Sequence, residues 1–545
     1  MKRPAAILLF LFLLVVSTSG HAETRRYRLS WADDPATTIS IGFEFTLGRN
    51  VYVAYDTEDG GGIPNNYRYK AAPTRTLVAK GMRTVFVKIT DLSPGTVYYF
   101  MVVDDNSLSR PMSFETSPNR LDKRLSIVAG GDSRERRLAR QASNILVSKL
   151  RPHAVLFSGD MTTNDSPAEW AAWLDDWQLT MSADGRCYPI IPAQGNHEQS
   201  TESISKMFDV PDPRIFYALE LGGGLLRAYT LNTKAVAAGD QLVWLKNDLR
   251  NHTNVVWKVA QYHHSMLPHT RDKQPRQDLI KYWAPLFYRH GVNLVIESDA
   301  HVVKQTWPIR PSREPGSDQG FIRDDLSGTV YIGEGGWGAP IRMNNNDKKW
   351  TKASDNFNQL KWIWVSASRM EVRTIKTDQS KGALALSDAN RFQVPNGLSL
   401  WQPDGKPALI LAKGKAREVI RPAAAPPKVH PNQRPNPPTA RPGNGGPPGS
   451  RIAKPGRPPL KEVLKPNFNN KVKVEYTLRR AGSVRVMVVT DKLIQFYKKD
   501  LPAQQPGIYR EWIQLPEIPR GVKWELVLKS DKQIVKKYVL STQAD

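Results

Sequence analysis

The sequence has little cysteine and few acidic residues for its length. One cysteine, Cys187, stands among 545 residues, which excludes an intrachain disulfide framework and a zinc or iron–sulfur site built from cysteines. Cys187 precedes a predicted buried strand, so we interpret it as a core residue. Lys and Arg outnumber Asp and Glu by 77 to 52, a net charge of +25, which points towards an anionic partner.

The chain also lacks an apolar run long enough to cross a bilayer. Ala5–Val16 is the longest apolar run near the N-terminus, and it falls short of the roughly 20 residues that a membrane-spanning helix needs. Lys2 and Arg3 precede this run, and small residues ending at Ala22 follow it. This pattern is typical of a secretory signal peptide over 1–22. We therefore expect an exported protein, in the bacterial periplasm or outside the cell.

Several motifs of other enzyme classes are missing. No glycine-rich nucleotide loop, Gly-Lys-Ser/Thr sequence or serine nucleophile elbow stands in a strand–loop–helix setting. This argues against a nucleotide-binding fold of those types and against a serine hydrolase. The length predicts several domains.

The first predicted domain is a small all-β sandwich over 23–118. Short segments with alternating apolar residues are separated there by Gly, Asn, Asp and Pro clusters, which is the pattern of strands and turns. The predicted strands are Thr38–Phe45, Val51–Tyr55, Thr84–Ile89, Val97–Val103 and Pro111–Glu115.

The central part, 119–380, changes to apolar strands that alternate with helical patterns. The predicted strands are Ser126–Ala129, Ala154–Phe157, Pro189–Pro192, Val255–Ala260, Asn293–Ile296 and Thr329–Ile332. The predicted helices are Leu138–Leu150, Pro167–Trp177, Gly239–Arg250 and Asp278–His290. Alternation of this kind predicts an α/β domain, with 381–420 as its extension.

A basic, proline-rich linker is predicted over 421–460, followed by a second small all-β domain over 461–545. The linker contains 13 prolines, seven Lys or Arg and no acidic residue, a composition that cannot build a core. The segments 471–478, 483–489 and 522–528 then alternate with period two and resemble an immunoglobulin-like module. An anionic envelope polymer is the partner that this basic region favours. Nucleic acid is disfavoured, because the linker has no aromatic residues on which bases could stack.

Polar residues of one kind follow five strands of the central domain. They lie in Gly131-Asp-Ser-Arg134, Gly159-Asp-Met-Thr162, Gly195-Asn-His-Glu198, Tyr262-His-His-Ser265 and Glu297-Ser-Asp-Ala-His301. A single Gly-Asp after a strand is often only a turn. Five such ends should nevertheless meet, because strand ends of an α/β sheet converge on one crevice. Carboxylates, an amide and imidazoles gathered there could hold two divalent cations that act on a phosphoryl group.

This order of motifs resembles the calcineurin-like metallophosphoesterases. With Trp31 and Leu92–Phe100 of the front sandwich, the chain is most similar to the purple acid phosphatase branch, whose front domain is fibronectin type III-like. Gln241–Leu249 matches the family's helix signature, and Gly333–Gly338 matches its late glycine turn. The resemblance covers about 25–375. It implies a four-layer metallophosphoesterase-type β-sandwich flanked by helices, which binds two divalent or mixed-valence metal ions (Fe, Mn or Zn).

The resemblance also implies a role for each residue of the predicted centre. Asp132 and His301 would bind the first metal, and Asp160 would bridge both metals. The second metal would take the remaining ligands: Asn196, His263 and Asp299. His197 would be the acid that protonates the leaving group. His264 stays open as an alternative to His263, and we group it with the catalytic candidates.

Three positions depart from the family pattern. Arg134 stands where the family has His or, in purple acid phosphatases, Gly, and a guanidinium there could bind phosphate directly; an ion pair with a nearby acid is the alternative. Thr163 stands where the purple enzymes have a tyrosinate ligand, so the resemblance predicts a colourless protein. Asp299 replaces the first His of Gly-His-x-His, which shifts the preference towards harder ions such as Mn, Mg or Ca.

The leading hypothesis is therefore an exported metal-dependent phosphoesterase. A phosphate monoester is the expected substrate, a diester is the alternative, and direct attack by metal-bound hydroxide is the implied mechanism. The competing hypothesis is a degenerate relative that has lost activity and binds envelope polyanions.

Overall fold

The computed structural model describes residues 24–413, except Leu47 and Asn106, and several segments between 463 and 540. The predicted signal peptide, 1–22, and the predicted linker, 421–460, lie outside the described residues. The chain divides into two compact units, 1–420 and 421–545. Among the described helices, none has the length and apolar character needed to span a bilayer.

The front of the chain folds as two facing sheets. Its strands are β1 (Thr24–Ser30), β2 (Ile39–Phe45), β3 (Tyr52–Asp56), β4 (Tyr69–Ala71), β5 (Arg75–Ala79), β6 (Met82–Ile89), β7 (Val97–Val103) and β8 (Met112–Glu115). One sheet contains β1, β2, β6 and β5, and the other has the order β4-β3-β7-β8. All five predicted strands are confirmed, with ends shifted by at most two residues; β1, β4 and β5 were not predicted.

The central part alternates strands and helices. Its elements are β9 (Leu125–Gly130), α1 (Arg137–Leu150), β10 (Ala154–Phe157), α2 (Pro167–Trp177), β11 (Pro189–Pro192), α3 (Thr201–Met207), β12 (Tyr217–Leu221), β13 (Leu226–Thr230), α4 (Asp240–Asn251), β14 (Trp257–His264), α5 (Gln277–Tyr282), α6 (Ala284–His290), β15 (Leu294–Ser298), β16 (Val303–Thr306), β17 (Ile309–Pro311), β18 (Phe321–Arg323), β19 (Val330–Gly333), β20 (Thr351–Asp355), β21 (Gln359–Val365), β22 (Arg369–Lys376), β23 (Leu400–Trp401) and β24 (Leu409–Ala412).

One helix prediction is wrong. The single helix expected over 278–290 is two helices, α5 and α6, which meet at Trp283. Pro285 lies in the first turn of α6. It has no backbone N–H to donate to a carbonyl four residues earlier, so a continuous helix cannot run through it.

The predicted strands divide between two sheets. The first sheet has eleven strands, with the order β23-β22-β21-β9-β10-β11-β1-β2-β6-β5 and β24 beside β22. The second has seven, with the order β12-β13-β14-β15-β19-β16-β20. β9, β10 and β11 run parallel in the first sheet, and β13, β14, β15 and β19 run parallel in the second.

Helices cover both sheets, so the central part is a layered α/β structure. Val259 of β14 and Ile296 of β15 belong to the core that the two sheets share. Their neighbours Ala260 and Val295 point to the other face, where they pack with α4, α5 and α6, as the alternation of a strand requires. On the first sheet, α2 packs through Trp173, whose ring lies 5.7 Å from that of Phe157.

The front sandwich shares a sheet with the central part. β1 pairs in parallel with β11, with Leu29 opposite Pro189 and Ser30 opposite Ile190. The buried Arg28 strengthens this junction, because its Nε donates to the carbonyl oxygen of Met207 at 2.5 Å. The front strands and the central strands also belong to one continuous hydrophobic core.

The second unit is rich in β-strands. It contains β25 (Val463–Leu464), β26 (Lys471–Leu478), β27 (Arg485–Thr490), β28 (Gln495–Asp500), β29 (Gly507–Gln514), β30 (Trp524–Ser530) and β31 (Gln533–Leu540). Five of them form a sheet with the order β25-β31-β30-β27-β28, and β26 pairs with β29. The three predicted strands of this unit are present; the immunoglobulin-like interpretation stays a prediction.

Candidate metal centre

Two aspartates follow neighbouring parallel strands of the first sheet. Asp132 comes two residues after β9, and Asp160 comes three residues after β10. Their loops are hydrogen-bonded, since the backbone N–H of Asp132 donates to Gly159 at 2.9 Å and that of Ser133 donates to Asp160 at 3.0 Å. The two carboxylates therefore lie side by side, fully buried.

The backbone at the centre adopts conformations that side chains disfavour. φ is +60° at Asp132, +57° at Asp160, +69° at Asp299 and +55° at His301. Such left-handed residues cost about 1 to 3 kcal/mol each and accumulate at functional sites. Four of the predicted ligands therefore share this backbone conformation, as residues at functional sites often do.

The four predicted ligands of the second metal meet at His263. Its Nε2 lies 3.0 Å from Oδ1 of Asn196, 3.3 Å from Oδ1 of Asp160 and 3.7 Å from Oδ1 of Asp299. His263 and Asp299 come from the second sheet, and Asp160 and Asn196 come from loops of the first. The second site therefore forms where the two sheets meet.

The predicted ligands of the first metal are also in contact. Nε2 of His301 lies 3.0 Å from Oδ1 of Asp132, and Oδ2 of Asp132 accepts from the backbone N–H of Asp299 at 2.9 Å. Asp132, Asp160 and His263 each offer a ligand atom within 4.8 Å of the others. The two sites thus share one buried pocket of oxygen and nitrogen donors.

Histidine tautomers support a metal-binding role. Nδ1 of His263 lies 2.9 Å from the carbonyl oxygen of Ser158, and Nδ1 of His301 lies 2.8 Å from that of Pro340. A carbonyl accepts only, so the proton belongs on Nδ1 of both rings. Nε2 is then the atom of each ring that faces a carboxylate, as in histidines that bind metals.

Two glycines leave room for these carboxylates. A Cβ at Gly195 would lie 2.1 Å from Oδ1 of Asp160, and a Cβ at Gly335 would lie 2.1 Å from Oδ2 of Asp132. Neither position could accept a side chain without displacing a predicted ligand. The close approach explains why the loops carry glycine at these two places.

The electrostatics of the centre favour a cation. Burial disfavours the imidazolium of His263, but the carboxylates of Asp160 and Asp132 outweigh this effect and raise its pKa to about 10. Burial likewise works against the carboxylate of Asp160, yet His263 holds its pKa well below the usual range. Bound divalent cations would take the place of these protons.

Unpaired polar atoms surround the same pocket. Near the centre, the described residues include two whose side-chain oxygens are buried and make no hydrogen bond: Ser298 Oγ and Thr162 Oγ1. Each lies within two residues of a predicted ligand. Buried polar atoms are normally paired, so these atoms, together with the donor set, fit a centre that binds further groups.

Parts of the chain are similar to known proteins. Residues 24–116 match the family model described as "Purple acid Phosphatase, N-terminal domain". An uncharacterized protein from two strains of Mycobacterium tuberculosis is 25% identical over 335 residues, covering 51% of this chain. The match covers 61% of the relative's own length. A purple acid phosphatase from yellow lupin (Lupinus luteus) seeds has 14% identity and a TM-score of 0.54, with 66% of this chain and 73% of that chain covered. The structure of PhoD has 12% identity and a TM-score of 0.48, with coverages of 64% and 86%.

The chain resembles the purple acid phosphatase branch. The family model covers the front sandwich, and the likeness to the lupin enzyme shows that the two chains share a fold. The purple acid phosphatase-like chain gathers all six predicted ligands at the junction of its two sheets.

The three catalytic candidates lie at different depths around this centre. Nδ1 of His197 lies 2.5 Å from the carbonyl oxygen of Thr163, which leaves Nε2 facing Oδ2 of Asp160 at 3.7 Å. His264 contacts the hydroxyl of Thr233 at 2.8 Å, and its ring packs edge-on against that of His263. Burial and the neighbouring His263 lower the pKa of His264 to about 3, so this ring is neutral.

Arg134 lies two residues after Asp132 and is partly buried. Its side chain is 15% exposed, and Nε lies 3.4 Å from Oε2 of Glu135. The ion pair that the sequence left open as an alternative is therefore present. Glu135 also accepts from the hydroxyl of Thr163 at 2.8 Å, so it is only partly engaged with the arginine.

Sequence reasoning gave no role to Glu198, although it is part of the Gly195–Glu198 motif. Its carboxylate is fully buried and accepts from the backbone N–H groups of Asp160 at 3.0 Å, Met161 at 2.7 Å and Gly195 at 2.8 Å. Glu198 thereby ties the loop that carries Asp160 to the loop that carries Asn196. An acidic residue two positions after the predicted ligand Asn196 was the only available signal.

Two lysines were also missed. Nζ of Lys234 donates to the carbonyl oxygen of Glu198 at 3.0 Å, and Nζ of Lys273 donates to Oδ1 of Asp299 at 2.5 Å. Both stand in loops with no motif around them. Nothing local in the sequence could have indicated that they reach the centre.

A buried ion network supports the strand that leads to Asp299. Nζ of Lys304 donates to Glu297 of β15 and, at 2.5 Å, to Oε1 of Glu334. The carbonyl oxygen of Glu334 accepts from the N–H of His301 at 2.7 Å. His269 is fully buried and its N–H donates to Oε2 of Glu334 at 3.0 Å, so it belongs to this network.

Proposed function

We propose that the protein is an exported metal-dependent phosphoesterase that hydrolyses phosphate monoesters. The observation that carries this proposal is the meeting of six predicted ligands from two sheets around the buried carboxylate of Asp160. Three carboxylates, an amide oxygen and two imidazoles suit two hard or borderline divalent cations. When bound, such cations would supply a nucleophile from water and neutralise charge on the phosphoryl group.

The protein's own groups would hold these cations and exclude other ligands. Asp132 and His301 would bind one ion, and Asn196, His263 and Asp299 would bind the other, with Asp160 shared. The ligands come from rigid strand ends and their positions are fixed by hydrogen bonds to backbone groups. Preorganisation of this kind lowers the barrier by positioning the reacting atoms before the reaction begins.

His197 is suited to transfer a proton to the leaving group. Its Nδ1–H is held by the carbonyl oxygen of Thr163, so Nε2 is the atom that can carry the second proton. The side chain is 26% exposed, which lets it reach a substrate that enters from solvent. Arg134, two residues after Asp132, would bind two phosphate oxygens through the N–H groups of its guanidinium.

Metal removal and reconstitution test the proposal. The full chain, stripped with a chelator, should be inactive on an aryl phosphate that releases a coloured phenolate, and Mn²⁺ or Fe²⁺ should restore turnover. An Asp160→Ala variant should stay inactive under every metal tested. If no divalent ion restores activity in the wild-type protein, while the protein does bind anionic polymers, the degenerate polyanion-binding alternative is supported instead.

We further propose that the basic C-terminal region associates with an anionic envelope polymer. Residues 421–545 contain 24 Lys and Arg against nine Asp and Glu, so most of the net charge lies outside the phosphoesterase-like unit. Replacing the seven Lys and Arg of 421–460 by Gln in the full chain should weaken a salt-sensitive association with polyphosphate. Aryl phosphatase activity should not change. Equal binding by both proteins would refute this role of the linker.

A further inference from the structure

Lys273 brings an ammonium group to the second candidate metal site. Nζ lies 2.5 Å from Oδ1 of Asp299, and that same oxygen lies 3.7 Å from Nε2 of His263. The Asp299 side chain is 7% exposed, and that of Lys273 is 27% exposed. The lysine therefore reaches inward from the rim to a carboxylate that is predicted to bind metal.

The loop that carries Lys273 is fastened along its length. The N–H of Arg276 donates to the carbonyl oxygen of Met266 at 2.9 Å, which closes the loop. In between, the N–H of His269 donates to Glu334 at 3.0 Å and that of Arg271 donates to Oδ1 of Asn345 at 2.9 Å. A loop with these attachments presents Lys273 to the centre in a defined position.

Charge balance links Lys273 to the replacement at Asp299. The family resemblance places a neutral imidazole at this position, where the chain has a carboxylate. The carboxylate adds one negative charge and the ammonium adds one positive charge, so the pair together has the net charge of the imidazole that it replaces. Asp299 also has a fixed backbone, because its carbonyl oxygen accepts from Arg342 at 3.0 Å.

We propose that Lys273 competes with the second divalent cation for Asp299. This inference rests on the proposed metal centre and deepens it. An ammonium within hydrogen-bonding distance of a ligand repels a divalent cation at the same ligand. The centre consequently binds one ion tightly and the second ion weakly, and the second ion enters only when Lys273 gives up Asp299.

Once it has left Asp299, the ammonium group of Lys273 would bind phosphate. The Lys273 side chain is 27% exposed, so it can contact a phosphate group that enters from solvent. Lysine binds phosphate as a point charge, so Lys273 would exchange the carboxylate of Asp299 for the phosphate of the substrate. Loading of the second ion and binding of phosphate then favour each other.

Titration calorimetry with Mn²⁺ on the metal-stripped full chain tests the competition without measuring activity. The wild-type protein should bind one ion tightly and a second at least about tenfold more weakly. In Lys273→Met the second ion should bind at least about tenfold more tightly than in the wild type. Lys281→Met, which removes an exposed lysine from α5, is the matched control and should behave as the wild type does.

Phosphate gives a second readout. In the wild type, inorganic phosphate should tighten the binding of the second Mn²⁺, and in Lys273→Met this effect should shrink. Lys273→Gln, which keeps a polar side chain without the charge, should follow Lys273→Met; circular dichroism confirms that both variants are folded.

The outcomes separate this inference from the proposed function. Two equally tight ions in the wild type, or an unchanged second ion in both Lys273 variants, would overturn the role of Lys273 and leave the phosphoesterase proposal standing. Asp160→Ala is expected to bind no Mn²⁺. If the wild type also binds none, the metal centre itself is refuted, and this inference with it.

Discussion

Nε2 of His263 and Oδ1 of Asp160 lie 3.3 Å apart, although the two residues come from different sheets. Both side chains are fully buried. The contact joins the loop after β10 to β14, so the geometry of the proposed metal centre depends on how the two sheets pack against each other.

Replacing the shared carboxylate should remove metal binding and activity together. In Asp160→Asn we expect a loss of at least about 100-fold in aryl phosphatase turnover and of metal content by elemental analysis, since one anionic ligand of both ions is lost. Asp175→Asn, at a half-exposed carboxylate of α2, is the control. Retention of both metal ions in Asp160→Asn would contradict the assignment of a bridging ligand.

Glu198 should act on the metals through the backbone. Glu198→Gln replaces an acceptor oxygen by an NH₂ group in a place where three N–H groups donate. At least one buried N–H then lacks an acceptor, which should destabilise the fold by about 1 to 3 kcal/mol. Metal affinity should fall about 10- to 100-fold. Urea denaturation and Mn²⁺ calorimetry measure the two effects, and unchanged metal affinity would restrict Glu198 to a structural role.

Arg134 should contribute to substrate binding more than to stability. In Arg134→Ala we expect KM for an aryl phosphate to rise about 10- to 100-fold, because a charged hydrogen bond to phosphate is lost. The melting temperature should change little, since the contact with Glu135 is a partly exposed ion pair. Arg136→Ala, at an exposed neighbour, is the control. A lower melting temperature with an unchanged KM would assign Arg134 to its ion pair alone.

Lys304 should matter chiefly for stability. It is fully buried between Glu297 and Glu334, so Lys304→Met leaves two carboxylates without their cation. Breaking a buried pair from one side typically costs about 3 to 5 kcal/mol. Guanidinium denaturation should show this loss, and the exposed Lys349→Met should not. A loss below about 1 kcal/mol would mean that the carboxylates find other partners.

His153 should make the protein less stable in acid. Burial and the guanidinium of Arg391, 2.8 Å from Nε2, lower the pKa of His153 to about 4. The unfolded chain takes up this proton near pH 6.5. The free energy of unfolding should therefore fall by about 3 kcal/mol as the pH falls from about 6.5 to about 4, and the effect should then level off.

The contribution of His153 can be isolated by difference. Unfolding of wild-type protein and His153→Gln should be compared at several pH values between 4 and 7.5, because carboxylates titrate in the same range and cancel in the difference. His252→Gln, at a partly exposed histidine, serves as control. If the difference in the free energy of unfolding between wild type and His153→Gln does not depend on pH, His153 is not a neutral imidazole in the folded protein.

Local patterns predicted the parts of the fold that are locally determined. β10, β11 and α2 begin and end where the sequence predicts. The two strands are short apolar runs, and α2 is an amphipathic helix with a clear start signal. Ser166 and Glu169 form a capping box at that start. The hairpin of β12 and β13 was missed, although Gly222 and the two glycines after it mark its turn. β21 and β22 were missed as well.

The candidate site was predicted through residues expected directly after strands. For His263 this was wrong in detail, because the strand predicted over Val255–Ala260 extends to His264 and contains it. Sheet topology brings such residues together, so the six predicted ligands could be named from motifs. Glu198 and Lys273 act through contacts with loops that are distant in sequence, and no local spacing encodes those contacts. The family resemblance could not supply Lys273 either, because it compensates a position at which this chain departs from the family.

The parallel pairing of β1 with β11 bears on how the chain is made. β1 leaves the ribosome early, whereas β11 and Met207, which contact it in the folded protein, are synthesised much later. Arg28 and Met207 are 179 residues apart. During that interval β1 has an open edge that another chain could occupy. Contacts of such long range also slow folding.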